Sequence, residues 1–385
     1  MIDFGLSEDQ TLIQQTARQF AREVLRPQLR AVEAAGRLPE AALSSWAAVG
    51  LSGLNLPERV GGAALGLLTT ALAVEELAVG DVAAAWALPG LEPAAIFVGR
   101  LGDAAQQDRW LAPYAERAGW CGATALADDP AAPLTGRAVE GGWRLEGRKI
   151  AVERAPLAGY LVVAAALEGR GPSWVIVAAD APGVVIEARA WKLGLAATPT
   201  AAVRFEGVQI DAAAVAGQPD ALLGAWLDVA IHAAALHLGA ARAAHEVALT
   251  YTQEREAFGK PVAHFQAVAF ALADAAMAID AGRWMLWRAA AARDSGKLAI
   301  SEVVGALLQC HEAAVRVCDE GVQLLGGAGY IQDHPVEKWM RDQQTLSLCG
   351  VTPEAAEEIL TRVALGEPVD AGDFGQADGA QAPLL

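Results

Sequence analysis

The sequence predicts an α+β protein in three parts. These are an N-terminal helical domain over residues 1–117, a middle antiparallel β-barrel or sandwich over 118–212, and a C-terminal helical bundle over 213–367. A flexible tail is expected at 368–385. Three observations carry this. Apolar residues recur at helical spacing up to about residue 117. Short β-branched runs punctuated by Gly and Pro then fill about 95 residues. Long Ala- and Leu-rich stretches follow.

Taken in order, Ser7 followed by Gln10 has the form of a capping box, in which side chains satisfy the free N–H groups of a helix start. Ile13, Ala17, Phe20 and Val24 then mark one helix face. Residues 40–50 and 68–80 continue as helices, with Gly61-Gly62 as a break. The strand candidates are Trp143-Arg-Leu-Glu, Lys149-Ile-Ala-Val152, Tyr160-Leu-Val-Val163, Ser173-Trp-Val-Ile-Val177, Gly183-Val-Val-Ile186 and Ala201-Ala-Val-Arg-Phe205. The stretches 221–253, 264–292, 299–325 and 353–364 read as helices. The Gly/Ala/Asp/Gln mixture after Gly366-Glu-Pro buries too little to fold.

With 54% apolar residues the chain has enough material for a large core. Its 29 basic and 46 acidic residues give a net charge of −17, which repels nucleic-acid phosphates and anionic membranes. The longest apolar runs, around 155–167 and 230–241, fall short of the roughly 18–20 residues of a membrane span. The acidic opening lacks a signal-peptide pattern. Cys121, Cys310, Cys318 and Cys349 carry no CxxC spacing, so neither a zinc site nor a disulfide framework is expected. The expected location is the cytoplasm.

Two stretches stand out. One is Tyr251-Thr-Gln-Glu-Arg255-Glu-Ala-Phe258-Gly259-Lys260-Pro261, followed by Phe265-Gln266. The other is Gln323-Leu-Leu-Gly326-Gly327-Ala-Gly329-Tyr330, running through Glu337 to Arg341-Asp342. Arg255 is a fixed cation with several donors, suited to a diphosphate. Phe258 offers a flat apolar contact. Gly326 and Gly327 let backbone approach a ligand, and Gln323 can donate and accept. The plainer readings are an Arg paired with Glu254 or Glu256, and a Gly-rich helix C-cap.

Together these stretches resemble the acyl-CoA dehydrogenase family, as do the domain order and the opening Phe4-x-Leu6-x-x-x-Gln10. The resemblance covers roughly residues 3–365 and implies an FAD-dependent flavoenzyme. In such enzymes FAD takes a hydride from Cβ of an acyl-CoA thioester while a carboxylate removes the Cα proton, giving a trans-2-enoyl-CoA. The usual electron acceptor is an electron-transferring flavoprotein. Members are commonly tetramers in which each FAD is shared between neighbouring subunits. The implied FAD contacts here are Arg255, Phe258, Gln323, Gly326, Gly327 and Thr124.

The departures from the family fall on one side of the cofactor. The family's base is a Glu nine positions after the Arg of the Arg-Asp pair, and that position here is Gly350. Members with the base on an earlier helix place it about 26 residues before the Arg, which gives Val229. The only carboxylate nearby is Asp228, a weak candidate because one helical residue is a rotation of about 100°. The family's Thr-Glu-Pro and Gly-Ser-Asp segment corresponds to Thr124-Ala-Leu-Ala-Asp128-Asp129-Pro130, where two carboxylates would face an anionic cofactor. The family's Trp-Ile-Thr against the flavin becomes Ala151-Val152-Glu153. The trans contacts are thus kept while the chain's own flavin side is altered. This pattern resembles the base-lacking subunit of a heteromeric acyl-CoA dehydrogenase of the steroid side-chain type, an α2β2 assembly with a related catalytic partner. The alternatives are a homomeric flavoenzyme with a different base or reaction, and a flavin-free scaffold paralogue.

Other candidates carry less. His232, His237 and His245 share a helix without i,i+4 metal spacing and read as structural. His311-Glu312 and Cys318-Asp319 are too sparse for a catalytic or metal pair. Cys349 adjoins the vacated base position but has no activating His or Lys in the local sequence.

Overall fold

The structure, a computed structural model, describes residues 5–217 and 221–375. Phe4 and the last ten residues of the expected tail lie outside the described residues.

Helix α1 (Glu8–Phe20) opens on the expected capping box. The Gln10 N–H donates to Ser7 Oγ at 3.2 Å, and the Ser7 N–H donates to Gln10 Oε1 at 3.0 Å. A π-helical turn, Ala21–Leu25, joins it to α2 (Arg26–Ala35). The N-terminal domain continues with α3 (Glu40–Ala48), α4 (Leu67–Gly80), α5 (Val82–Ala87), α6 (Pro93–Leu101), α7 (Ala104–Trp110) and α8 (Pro113–Glu116).

The middle domain is one seven-stranded sheet. Its strands are β1 (Gly122–Ala125), β2 (Thr135–Val139), β3 (Gly142–Glu153), β4 (Tyr160–Leu167), β5 (Gly171–Ala178), β6 (Val184–Ile186) and β7 (Thr200–Asp211). The order is β1-β4-β2-β3-β7-β6, with β5 also on β4. The expectation of a wholly antiparallel sheet is corrected: β1 and β2 both run parallel to β4. The β2–β3 hairpin and the turn after it supply the long connection that parallel partners need. The two runs read separately at 143 and 149 are one strand, bent by irregularities at Leu145/Glu146 and Lys149/Val152.

The C-terminal domain comprises α9 (Leu222–Glu254), a ribbon of β8 (Glu256–Ala257) and β9 (Lys260–Pro261), α10 (Gln266–Asp294), α11 (Ile300–Leu325), α12 (Val336–Leu346), α13 (Pro353–Leu365) and the short α14 (Gly372–Gly375). Helix α9 is the axis of the molecule and is buried almost continuously from Ala225 to Ala244. Its small residues allow close crossings. A Cβ on Gly239 would lie 2.3 Å from the Glu75 carbonyl oxygen of α4. By length and hydropathy α9 could also cross a membrane, which corrects the sequence-based expectation that no segment could. However, 83% of its most apolar stretch is buried inside the fold, as in a core helix. The tail reading is corrected for its described part, residues 368–375. Phe374 is 2% exposed within the core, and Arg362 pairs with Asp373 at 3.0 Å.

The three parts are tied by buried charge. Lys338 Nζ on α12 donates to Asp81 Oδ1 at 2.6 Å and to Asp342 Oδ2 at 2.7 Å. Trp339 Nε1 also donates to Asp81, at 3.1 Å. The other Asp342 oxygen accepts the Leu195 N–H at 2.7 Å, docking the loop before β7 onto α12. In the same loop a Cβ on Gly194 would meet the Arg341 carbonyl oxygen at 2.3 Å. Lys338→Met should leave Asp81 and Asp342 as uncompensated buried charges. A loss of about 3–5 kcal/mol is expected in denaturant unfolding.

Candidate functional site

The residues singled out in the sequence fall into two separate regions. Arg255 caps the C-terminal end of α9, and its N–H donates to the Tyr251 carbonyl at 2.8 Å. Phe258 and Gly259 form the two-residue turn between β8 and β9, at φ +54° and +80°. Two positive φ values are the signature of a type I′ turn, which Asn-Gly fits without strain and a bulky aromatic does not. The turn holds the Phe258 ring 97% exposed, with Phe265 as its ring neighbour at 6.3 Å between centroids. Strain of about 1–3 kcal/mol that presents an apolar ring to solvent is an arrangement suited to a ligand or partner.

Gln323 lies in the last turn of α11, and Gly326 and Gly327 open the 3₁₀ turn Gly326–Tyr330. The contacts of Ala240 with Cys318 and of Ala244 with Gly321 advance together along α9 and α11. The two helices therefore run in the same direction, and their C-terminal ends lie at one end of the bundle. Arg255, Gln323, Gly326 and Gly327 are all exposed there. A Cβ on either glycine would meet nothing within 4 Å. Among the described residues no side chain pairs with the Arg255 guanidinium, so neither Glu254 nor Glu256 neutralises it. An open cation beside bare glycine backbone fits a diphosphate and its attached nucleoside.

The second region lies inside the molecule, where all three domains meet. A Cβ on Gly350 would sit 3.5 Å from Val229 Cγ1. The two positions at which a base was sought are therefore neighbours in space, and neither carries a proton acceptor. Asp228 does not replace them. Its carboxylate is 2% exposed and bound by two guanidinium groups, from Arg100 Nε at 2.6 Å and Arg293 NH2 at 2.8 Å. It is an ion-pair partner, and the candidacy of Asp228 as a base is corrected on that ground.

Glu153, at the end of β3, occupies the centre of this region. Its Oε1 accepts from Lys192 Nζ at 2.6 Å and from Thr198 Oγ1 at 2.7 Å. Its Oε2 accepts from Trp86 Nε1 at 2.6 Å. Burial alone would raise its pKa, but Lys192 and Arg154 and the hydrogen bonds from Lys192 and Thr198 hold it below the ordinary carboxylate range. The Cys349 thiol, beside Gly350, interacts with the same carboxylate. Burial first, and then Glu153, push it well above the usual thiol range, so it carries no thiolate nucleophile. The sequence singled out Glu153 but gave no sign of Trp86, Lys192 or Thr198, which reach it from distant segments, or of the part played by the adjacent Arg154.

Thr124 lies on β1, paired with Val162. The carboxylates expected to face a cofactor are consumed locally, which corrects that reading. Asp128 pairs with Lys149 at 2.8 Å and Asp129 with Arg148 at 2.7 Å.

Two of the helix histidines, His232 and His237, make contacts within the fold, whereas His245 Nδ1 is buried without a hydrogen-bond partner. His232 Nδ1 lies 3.3 Å from the Leu91 carbonyl oxygen, and His237 Nδ1 lies 2.5 Å from Gln343 Oε1. His237 and His311 border a cavity of about 10 Å³, with room for one water. Burial, and secondarily His311, lower the His237 pKa to about 3 against the Gln343 hydrogen bond. The unfolded chain protonates His237 near pH 6.5, so between about pH 6.5 and 3 it binds a proton that the folded state does not. Stability should fall with acidification across that window. The His237 share is about 1.4 kcal/mol per pH unit at most. His232, His245 and His311 are lowered in the same direction, mainly by burial. Denaturant unfolding of His237→Asn against the wild type over that range should show a slope shallower by the His237 share.

Comparison with known proteins shows the family. Models of the N-terminal, middle and C-terminal domains of acyl-CoA dehydrogenase match residues 7–118, 126–208 and 228–365. The mitochondrial short-chain specific acyl-CoA dehydrogenase of Bos taurus is 32% identical over 366 residues, covering 91% of this chain and 88% of that protein. The structure of butyryl-CoA dehydrogenase from Megasphaera elsdenii superposes with a TM-score of 0.87 at 26% identity, over 94% of this chain and 100% of that one. An FAD complex of PigA gives a TM-score of 0.87 at 25% identity, over 95% and 99%. The chain belongs to the acyl-CoA dehydrogenase family, oxidoreductases of CH–CH groups whose cofactor is FAD.

Proposed function

We propose that this chain is the cofactor-clamping subunit of a heteromeric acyl-CoA dehydrogenase, paired as α2β2 with a related catalytic subunit. The observation that carries the reading is the contrast between its two halves. Arg255, Phe258, Gln323, Gly326 and Gly327 are open to a ligand at the surface. The internal region instead has Gly350 and Val229 at the base positions and a saturated Glu153 on the flavin side.

When bound, FAD supplies the hydride acceptor for α,β-desaturation of an acyl-CoA thioester. This chain's part is binding and orientation. Arg255 neutralises the diphosphate by charge-assisted hydrogen bonds. Phe258 covers an apolar face of the nucleotide end, and the glycine backbone allows close approach. Removal of the Cα proton requires a carboxylate from the partner, because Asp228 is held in ion pairs. An electron-transferring flavoprotein is the electron acceptor this reading implies. The narrower assignment to steroid side-chain enzymes rests on the paired loss of both base positions in one subunit, and a cytoplasmic site of action is part of the same reading.

The test is flavin content by visible absorbance, for this chain alone and co-purified with a family member that has an intact base. The expected result is a colourless single chain and a yellow complex holding one FAD for each pair of unlike subunits. In the complex, Arg255→Ala should weaken FAD retention roughly 10–100-fold. A yellow homo-oligomer with one FAD per chain would overturn the proposal. Phe258→Asn should stabilise the isolated chain by about 1 kcal/mol, by relieving the turn, while lowering FAD retention in the complex.

A further inference from the structure

The donors around Glu153 come from two domains, and the third holds one of their segments in place. Trp86 belongs to α5 of the N-terminal domain, and Lys192 and Thr198 to the loop before β7, which Asp342 and Thr345 of α12 hold in place. Arg154 stands behind them. It is 3% exposed, has φ +64°, and lies with its guanidinium carbon 5.1 Å from the centroid of the Trp86 ring. Its NH1 and NH2 atoms are buried without a hydrogen-bond partner. Two cations, an indole N–H and a hydroxyl thus surround a space the size of one carboxylate, and a side chain of the same protein fills it.

We infer that this is a preformed anion seat occupied from within: Glu153 replaces an external ligand at the junction of the domains and keeps the chain's own ring-side position shut. The inference rests on reading position 153 as ring-side and not on the identity of any partner. A cofactor ring lying against β3 would have to displace a carboxylate held by three donors and leave the partly buried Lys192 without its counter-charge. The lock also joins the N-terminal and middle domains without a cofactor, through a loop that α12 holds in place.

The seat itself can be emptied. Glu153→Ala removes a methylene and a carboxylate, which together have the size and charge of acetate. The Glu153 side chain is 18% exposed, which leaves a route from solvent. The experiment is thermal unfolding of the isolated full chain, wild type and variant, with and without FAD, sodium acetate, or sodium chloride at matched ionic strength. The wild-type Tm should respond to neither FAD nor acetate beyond the chloride control. In Glu153→Ala the Tm should fall on the order of 5–10 °C. Acetate should recover at least half of that fall, and chloride should not. If Glu153→Ala does not yield folded protein, Glu153→Gln keeps the shape while removing the charge, and should show a Tm below wild type. A wild-type Tm raised by FAD would overturn the inference, as would an unchanged Tm in Glu153→Ala or a fall that acetate leaves untouched. The acetate readouts involve neither flavin nor a second subunit, so they separate failure of the lock from failure of the heteromeric assignment, whereas FAD binding to the isolated chain counts against both.

Discussion

A single ammonium group holds the molecule's geometry together. Lys338 is 1% exposed and bridges Asp81, at the start of α5, to Asp342, one turn further along its own helix. The desolvation cost of such a triad is large and is offset by the hydrogen bonds its members make. Each carboxylate oxygen has a donor, Asp81 Oδ2 from the Ala84 N–H at 3.1 Å. Trp339 takes Asp81, and the Leu195 N–H takes the remaining oxygen of Asp342. The result is positional more than energetic. Once Leu195 is docked, Lys192 and Thr198 on either side of it are brought within reach of Glu153, so the internal cluster depends on a charge network belonging to another domain.

The two candidate regions are built by opposite physical means. At the bundle end, cation, ring and glycine backbone are left unsatisfied, and the strained Phe258-Gly259 turn is maintained against its own preference. At the domain junction the Glu153 carboxylate is matched by three donors, and the positions that could hold a base are apolar or bare. A surface kept reactive at a cost and a carboxylate seated inside the junction support the proposal that this chain completes another subunit's site rather than its own.

Much of the architecture is legible in the sequence because it is local. The Ser7–Gln10 capping box, the β-branched runs of the sheet and the Ala-rich helices each follow from residues within a few positions of one another. Helix α12 was not resolved as an element, because its buried face mixes Val336, Trp339 and Leu346 with Lys338, Asp342 and Gln343, and this breaks an apolar stripe. The parallel pairing of β1 and β2 with β4 depends on how the whole middle domain closes. The site shows the same division. Arg255, Phe258 and the glycines sit in compact motifs, and Gly350 and Val229 follow from counting. The partners of Asp228 and Glu153 do not: Arg100 and Trp86 lie 128 and 67 residues from them in the chain.

The continuous burial of α9 from Ala225 to Ala244 bears on how the chain is made. This helix is synthesised after α4, which accepts it through Gly239, but before α10 and α11, which cover its other faces. At ribosomal rates of about 5–20 residues per second, an apolar rod compatible with a bilayer waits roughly 4–14 s for its remaining cover to be translated. Early docking of α9 onto the finished N-terminal helices is therefore the step that separates folding from capture by a membrane or by another nascent chain.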